Sequence, residues 1–557
     1  MTKPIKVYCV NISEYVDICG GDSLDDILTR VGTLGFNLGF NPICARVNNR
    51  TEPMSFQVFM PKQIEFLAPG HPSSRRVYTR SLCMMLYKAV SKVQPGVRLR
   101  MEHSVSRGYY CRLLDGKGRS VRPQVQAIES EMQALVRENL PFVRHERLTR
   151  DVIELFRSQG LLDKVELLET IHQLYTTYYT LGDTADSYYG PLAPSTGCLS
   201  VFSLVADDEG MLLMPPSAAD INAPAEPVEQ KKMFDAFTEH LRFNHIVGVS
   251  SVGGLNRAIA DKRSATLINL SETLHSKMLG HIADAISEKG ARVVLLAGPS
   301  SSGKTTTCKR LSIHLMTNLL RPKMISLDDY FVDRHLTPRD PETGDFDYES
   351  IHALDLELLN EHLNRLLNGE KINVPTYSFE LGRRIEKPRP LKLEKDDVLL
   401  LEGIHGLNPE LTPQVSADNI YKVYVSALTT LKIDDHNWIP TTDTRLLRRL
   451  VRDHKYRNTA AVDTLRRWAS VRKGEERWIF PFQENADATF NSSLLFEPAV
   501  MKSYAEPLLR LVPHDCQEYS EAYRLLSFLS YFLPLPPDQI PSTSLLREFL
   551  GGSSFHY

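Results

Sequence analysis

Residues 291–320 read ARVVLLAGPSSSGKTTTCKRLSIHLMTNLL. The unbroken apolar run at 293–297 predicts a strand, and Cys308, Leu311, Leu315 and Leu319 recur behind it at helical spacing. Between the two, Gly298, Pro299, Ser300, Ser301, Ser302, Gly303, Lys304 and Thr305 fit G-x-x-x-x-G-K-[ST], the phosphate-binding loop. Each part has a chemical reason. The glycines let backbone N–H groups turn inward on a polyphosphate, and the helix N-terminus adds the positive end of its dipole. Lys304 is expected to reach the β- and γ-phosphates, the Thr305 hydroxyl to hold Mg²⁺, and Thr306 to complete the cradle. A strand before the motif and a helix after it supply the context it needs, so the stretch is read as a nucleotide site.

Working outward, strand-like RVVLLAG, KMISLDD, INVPTYSF, DVLLLEG and YKVYVSA alternate with helical patterns across residues 290–500. Their β-branched and Leu-rich runs predict a parallel sheet buried on both faces. Ligands of such a sheet bind beyond the carboxyl ends of its strands. Acidic residues stand at two of those ends: Asp328 and Asp329 after MISL, and Glu402 after DVLLL. Farther on, DTRLLRRLVRDHKYR puts Arg445, Arg448, Arg449 and Arg452 on one helix face, with Leu446, Leu447, Leu450 and Val451 largely on the other. Such a basic stripe is either a solvated face or a lid over phosphate.

These ordered motifs resemble the uridine kinase and phosphoribulokinase group of P-loop kinases, most closely uridine–cytidine kinases. The resemblance implies an ATP-type (or GTP) donor with Mg²⁺ and a small-molecule nucleoside acceptor. In Ser326-Leu327-Asp328-Asp329-Tyr330-Phe331 it makes Asp328 the base for the nucleoside 5′-hydroxyl. Asp329 is then a turn or helix cap. Asp347, after Phe346, would hold the ribose hydroxyls, and Tyr377 and Phe379 in PTYSF would border the base. Glu402 would help place Mg²⁺ with Thr305, and Arg449, Arg452 and Arg457 would reach the transferring phosphate from the lid helix. Two departures stand out. The family's base-contacting histidine falls on Gly382, beside Arg383 and Arg384, and one lid arginine falls on Thr459.

At 557 residues the chain exceeds a single core, so several domains are expected. Hydrophobic and charged fractions of 42% and 24% are those of ordinary soluble globular protein. The net charge of −3, with no basic concentration before residue 230, argues against nucleic acid as the main partner. Eight cysteines without a C-x-x-C pair argue for reduced thiols and against a disulfide scaffold or zinc ribbon. MTKPIKVYCV lacks the apolar core of a signal peptide, and no apolar run is long enough to span a membrane. A cytoplasmic protein follows; a homo-oligomer is left open.

Ahead of the phosphate loop, strand-like KVYCV, a helix starting near Ser23, strand-like ICARV, a turn at Asn48 and Asn49, and QIEFL make a small α+β unit. It resembles the TGS β-grasp module of threonyl-tRNA synthetases. Residues 68–225, with GYY at 108–110, IESEM at 128–132 and GPLAPSTG at 190–197, resemble the editing domain that follows it. The family's four metal-ligand positions there fall on Arg80, Met84, Tyr188 and Leu192, none an ordinary zinc ligand, so the hydrolytic site is read as lost. His103 is read as structural. PPSAADINAPAEPVE at 215–229 reads as a linker, and Gly253 with Gly254 as a turn between helices.

The expected architecture is multidomain α/β and α+β. It comprises a TGS-like unit (1–67), an editing-like unit (68–225), a linker and helical lead-in (226–289), a P-loop kinase unit (290–500) and a helical tail (501–557). The expected activity is phosphoryl transfer from ATP to a nucleoside 5′-hydroxyl, uridine and cytidine first. Alternatives are a kinase of another small hydroxyl compound and a nucleotide-switched RNA-binding protein.

Overall fold

The structure is a computed structural model describing residues 4–341, 344–387 and 389–556; Met1 to Lys3, at the head of the MTKPIKVYCV segment, lie outside it. Its largest core lies against a five-stranded parallel sheet, in the order Arg321–Ser326, Asp397–Gly403, Val293–Ala297, Ile420–Ser426, Ala488–Asn491. The strand expected from the apolar run is the central one and is wholly buried. The phosphate loop therefore leaves the middle of the sheet's carboxyl edge. Register sets Glu402 beside both Leu296 and Ser326, level with the loop.

Two strand expectations need correction. INVPTYSF does not enter the sheet; it supplies Ile372–Asn373 and Tyr377–Ser378, which pair in separate two-residue ladders with Pro390–Leu391 and Arg383–Arg384. Pro375 has no N–H to give a central ladder, which keeps this segment outside. The fifth strand is instead Ala488–Asn491, whose mixed ATFN carries no apolar run to announce it. In addition, Arg321–Ser326 is an edge strand, with only Ile325 fully buried.

Helices Ser264–Lys289, Lys304–Thr317, Thr441–Arg457 and Glu497–Arg510 cover the sheet. The tail packs into the same core. Leu525, Phe528 and Leu529 of the Tyr519–Leu529 helix, then Leu545, Leu546 and Phe549, join a cluster with Val294 and Leu296.

The front sheet runs Glu14–Ile18, Ile5–Cys9, Gln63–Phe66, Cys44–Val47, Arg50–Pro53, with Ile5–Cys9 and Gln63–Phe66 parallel. Ser23 caps the Leu24–Thr33 helix in a reciprocal capping box with Asp26. Asn48 and Asn49 make the tight turn, both at positive φ (46° and 59°), where Asn is the tolerated side chain. Behind this sheet the Pro72–Val93 helix packs on an antiparallel sheet containing Arg98–Val105, Gly108–Leu114 and Gly210–Met214. His103 is buried there, stacked on Phe237 at 3.9 Å, as an aromatic filler.

Residues 215–229 carry no helix or long strand, yet they are strapped down. The Ser106 hydroxyl donates to Val228 O and accepts from Val228 N, both at 2.6 Å. Gly253 and Gly254 form no turn; they lie inside the Val252–Ala260 helix. A Cβ on Gly253 would stand 2.8 Å from Leu167 N, so the glycine serves close helix packing.

The two halves meet through a hairpin, Lys432–Asp434 with Asn437–Trp438, that follows the Ile420–Ser426 strand. Lys432 pairs with Glu102 at 3.0 Å, and Lys164 with Asp186 and Asp434 at 2.9 and 2.8 Å. His436 Nδ1 lies 2.8 Å from Asp186. All these side chains are buried, so the ions must satisfy one another.

Candidate active site

The phosphate loop is shaped by sterics and braced from behind. A Cβ on Gly298 would fall 2.0 Å from Val425 O, so only glycine fits. Gly303 stands at φ +87° and Ser301 at +58°. Arg445 donates to Ser300 O at 3.2 Å and Arg448 to Ser302 O at 3.2 Å. Behind them Glu475 grips Arg445 and also accepts from Ser300 N (3.2 Å), while Glu497 grips Arg448. Arg445 and Arg448 are almost fully buried, so the stripe is not a solvated face. It divides: these two hold the loop, and the next pair faces the cleft.

Arg449 donates to Ser300 Oγ at 2.9 Å. Arg449, Arg452 and Arg457 lie 3.2, 2.8 and 3.5 Å from one carboxylate, that of Asp453. One anion among three guanidinium groups leaves positive charge over the loop, as phosphate recognition requires. Burial lowers the pKa of Arg449 and Arg457 from the ordinary arginine value. Lys304 Nζ donates to Gly298 O (2.9 Å) and Pro299 O (3.2 Å). Burial also lowers its pKa, against the pull of Glu402 and Asp328.

The expected acids gather at the same edge. Thr305 Oγ1 and Ser326 Oγ both donate to Glu402 Oε1, at 3.4 and 3.3 Å. Burial pushes Glu402 up to about 7, Lys304 opposing and Asp328 adding to the rise. A hydroxyl and a crowded carboxylate form a hard oxygen set that suits Mg²⁺, which binds through one or two carboxylates plus substrate phosphates. Asp328 sits in the turn after its strand and opens to the cleft. Crowding by protein raises its pKa; Lys304 is the strongest opposing charge, with Arg457 and Arg452 also in reach. Asp329 takes another role than the expected cap, pairing with Arg389 at 2.7 Å.

Across the cleft, Tyr377 is buried against Phe331 (centroids 5.5 Å) and Phe379 (5.1 Å), while Phe379 is half exposed. Asp347 Oδ1 accepts from Glu349 N at 3.1 Å. Glu349 is a residue of the cleft that the sequence pattern does not reveal. Burial and Glu475 push it up to about 7, with Arg449 and Lys304 opposing, which sets it among the phosphate-facing cations. Nothing in FDYES beyond the family's Asp347 marks this second acid. Gly382 is filled from outside: its φ is +64°, and a Cβ would meet the Arg334 guanidinium at 2.6 Å. Arg334 in turn donates to Phe379 O at 2.6 Å. Arg384 is no substitute for a base-contacting histidine, being bound to Asp355, Tyr330 O and Phe331 O.

Thr306 has a partner that no local motif suggests. Its N–H and Oγ1 both donate to Glu548 Oε2, at 3.2 and 2.5 Å, from the last short helix of the chain. In the front half, the four positions read as lost metal ligands are all buried. Met84, Tyr188 and Leu192 share one apolar cluster, and Arg80 lies against Gly190 and donates to Tyr189 O at 3.2 Å. Among the described residues, no helix is long and apolar enough to cross a membrane.

Comparison with known proteins agrees with this geometry. Residues 293–494 match the model of the phosphoribulokinase / uridine kinase family. A uridine kinase of Anoxybacillus flavithermus is 31% identical over 196 residues, 35% of this chain and 83% of that one. A uridine kinase of Halobacterium salinarum is 29% identical over 194 residues, 34% of this chain and 76% of that one. The front half is homologous to the editing region of threonyl-tRNA synthetase. The threonine–tRNA ligase of Rubrobacter xylanophilus is 28% identical over 189 residues, 34% of this chain but only 29% of the ligase. A central strand ending in a braced phosphate loop, with a lid of arginines and acids at the strand ends, is thus joined to a synthetase-like front, and the chain belongs to the phosphoribulokinase / uridine kinase family.

Proposed function

We propose that the chain is a nucleoside kinase that transfers the γ-phosphoryl group of ATP to a nucleoside 5′-hydroxyl, with uridine and cytidine the first candidates. The observation that carries this is the placement of Asp328: open to the cleft, within electrostatic reach of Lys304, Arg452 and Arg457. A carboxyl raised above its ordinary pKa is a better proton acceptor. The hydroxyl oxygen attacks the γ-phosphorus, its proton passes to Asp328, and the bond from the γ-phosphorus to the β,γ-bridging oxygen breaks, releasing the nucleoside diphosphate. Lys304, Arg449 and Arg452 meet the charge that spreads over the phosphoryl oxygens. Mg²⁺, held by Thr305 and Glu402, supplies neutralisation of the phosphate charge when bound. Asp347 would orient the ribose, and Tyr377 and Phe379 would border the base.

A second reading, a kinase of another small hydroxyl compound, is favoured by one observation. Arg334 fills the space at Gly382, where the family resemblance calls for a histidine against the base. The front sheet supports reading residues 1–67 as a TGS-type β-grasp unit, and the limits 68–225, 226–289, 290–500 and 501–557 are part of the same proposal. Cytoplasmic residence is part of the same proposal. A coupled assay with ATP or GTP, across nucleosides, sugars and polyols, tests the activity. Turnover of pyrimidine nucleosides is expected; turnover of sugars or polyols alone selects the second reading, and no turnover despite ATP binding removes both.

A further inference from the structure

A cavity of about 400 Å³ lies where the front sheet, the synthetase-like unit, the Lys432–Trp438 hairpin and the tail helix meet. That volume is in the range of small-molecule sites. Its charges do not cancel. Arg76 pairs with Glu521 at 3.0 Å, and Arg524 with Asp443 (2.6 Å) and Glu521 (2.5 Å). Arg80, one of five guanidinium groups that line the cavity with Arg50, Arg76, Arg144 and Arg524, is 8% exposed and has no carboxylate partner among the described residues. Its hydrogen bond is to Tyr189 O, and its buried Nε has no acceptor. Burial lowers its pKa to about 10, with Arg76 and Arg524 of like sign adding to the fall and Tyr189 and Tyr179 opposing it, so it stays protonated at neutral pH. A buried charge without a counter-ion destabilises the fold unless an anion arrives to pair with it. Tyr175, Tyr179 and Tyr189 complete the wall.

We infer that this cavity binds a small phosphate- or carboxylate-bearing molecule whose anionic group pairs with Arg80. A guanidinium fork matches either anion in bidentate fashion. The site is distinct from the phosphate loop, and the inference does not depend on the proposed kinase activity. The test is isothermal titration of full-length Lys304→Ala protein, which weakens the loop's own phosphate binding, with pyrophosphate and with citrate. Saturable one-to-one binding of one probe is expected, weakened about tenfold or more by adding Arg80→Met. Preference for pyrophosphate assigns a phosphate ligand, and preference for citrate a carboxylate. Without probe, Arg80→Met is expected to melt no lower than its parent, since the orphan charge is gone. Equal affinity with and without Arg80, no saturable binding of either probe, or a lower melting temperature would each overturn the inference, the last by making Arg80 a structural residue.

A second observation stands independently. Glu548 is bonded to the N–H and hydroxyl of Thr306, at the N-terminus of the phosphate-loop helix where anions bind. Its turn is anchored there: Gly303 packs on Leu545, Lys455 donates to Leu550 O at 2.6 Å, and Phe549 is fully buried beside Arg448. The geometry points to Glu548 as an internal competitor of the nucleotide, a carboxylate that a phosphate must displace; this rests on the nucleotide-site reading. Equilibrium ATP binding and steady-state kinetics on Glu548→Gln and Glu548→Ala test it. Tighter ATP binding in both, with a KM for donor about tenfold lower and kcat unchanged, is expected. Unchanged or weaker ATP binding would overturn it. Tighter binding without any transfer would leave it standing and remove the kinase reading instead.

Discussion

The cleft around Lys304 and the junction around Lys164 both hold crowded charges, but they are balanced differently. At the junction, Lys164, Asp186, Asp434 and His436 satisfy one another within 2.8–2.9 Å, so that no charge of the set is left over for a ligand. In the cleft, three lid guanidinium groups share Asp453, and Glu402 and Glu349 are held near neutral pH by crowding. A closed set of charges is glue. An open set marks where charge is to arrive from outside, and Arg80 belongs to that second kind.

Breaking the closed set has the largest expected effect. Burial opposes the ammonium of Lys164, yet Asp186 and Asp434 hold its pKa well above the ordinary lysine value. Lys164→Met leaves two buried carboxylates of which only Asp186 keeps a contact with the His436 imidazole, and a loss of about 3–5 kcal/mol in denaturant unfolding is expected. A loss within error would show the pairs to be dispensable. In the open set, Lys304→Ala is expected to lower kcat about 10²–10³-fold, as removal of one oxyanion donor does. An unchanged kcat would take Lys304 out of the chemistry.

The smallest effect sharpens the contrast through pH. Glu349 is pushed up from an ordinary 4.5 to about 7, so the folded protein holds its proton more tightly than the unfolded chain. Its contribution to stability is present below about 4.5 and is lost as pH rises through about 7. Glu349→Gln should flatten that segment of the stability profile relative to the parent, as measured by chemical denaturation across pH. Identical slopes would mean that Glu349 is not crowded in the way the cleft suggests.

Residues whose chemistry demands a fixed spacing are legible in the amino-acid sequence. Gly298, Gly303, Lys304 and Thr305 announce themselves, and so does the strand that carries them. Glu402 stands out because it ends a buried strand, and Asp328 because it follows an apolar strand-like run. What spacing cannot carry stays hidden. Ala488–Asn491 joins the sheet by pairing with Ile420–Ser426 and lacks an apolar pattern of its own. The division of the arginine stripe depends on Glu475 and Glu497, which lie on later helices. Glu548 reaches Thr306 across 242 residues of chain, a contact no local pattern encodes. Gly253 reads as a turn because close helix packing and chain reversal ask for the same residue.

The most direct test of the proposed chemistry is Asp328→Asn, which keeps the side chain's size and removes its basicity. Single-turnover phosphate transfer to a nucleoside should fall about 10²–10⁴-fold, with ATP affinity held close to that of the parent. Transfer at the parental rate would contradict the assignment of Asp328 as the base and, with it, the proposed mechanism.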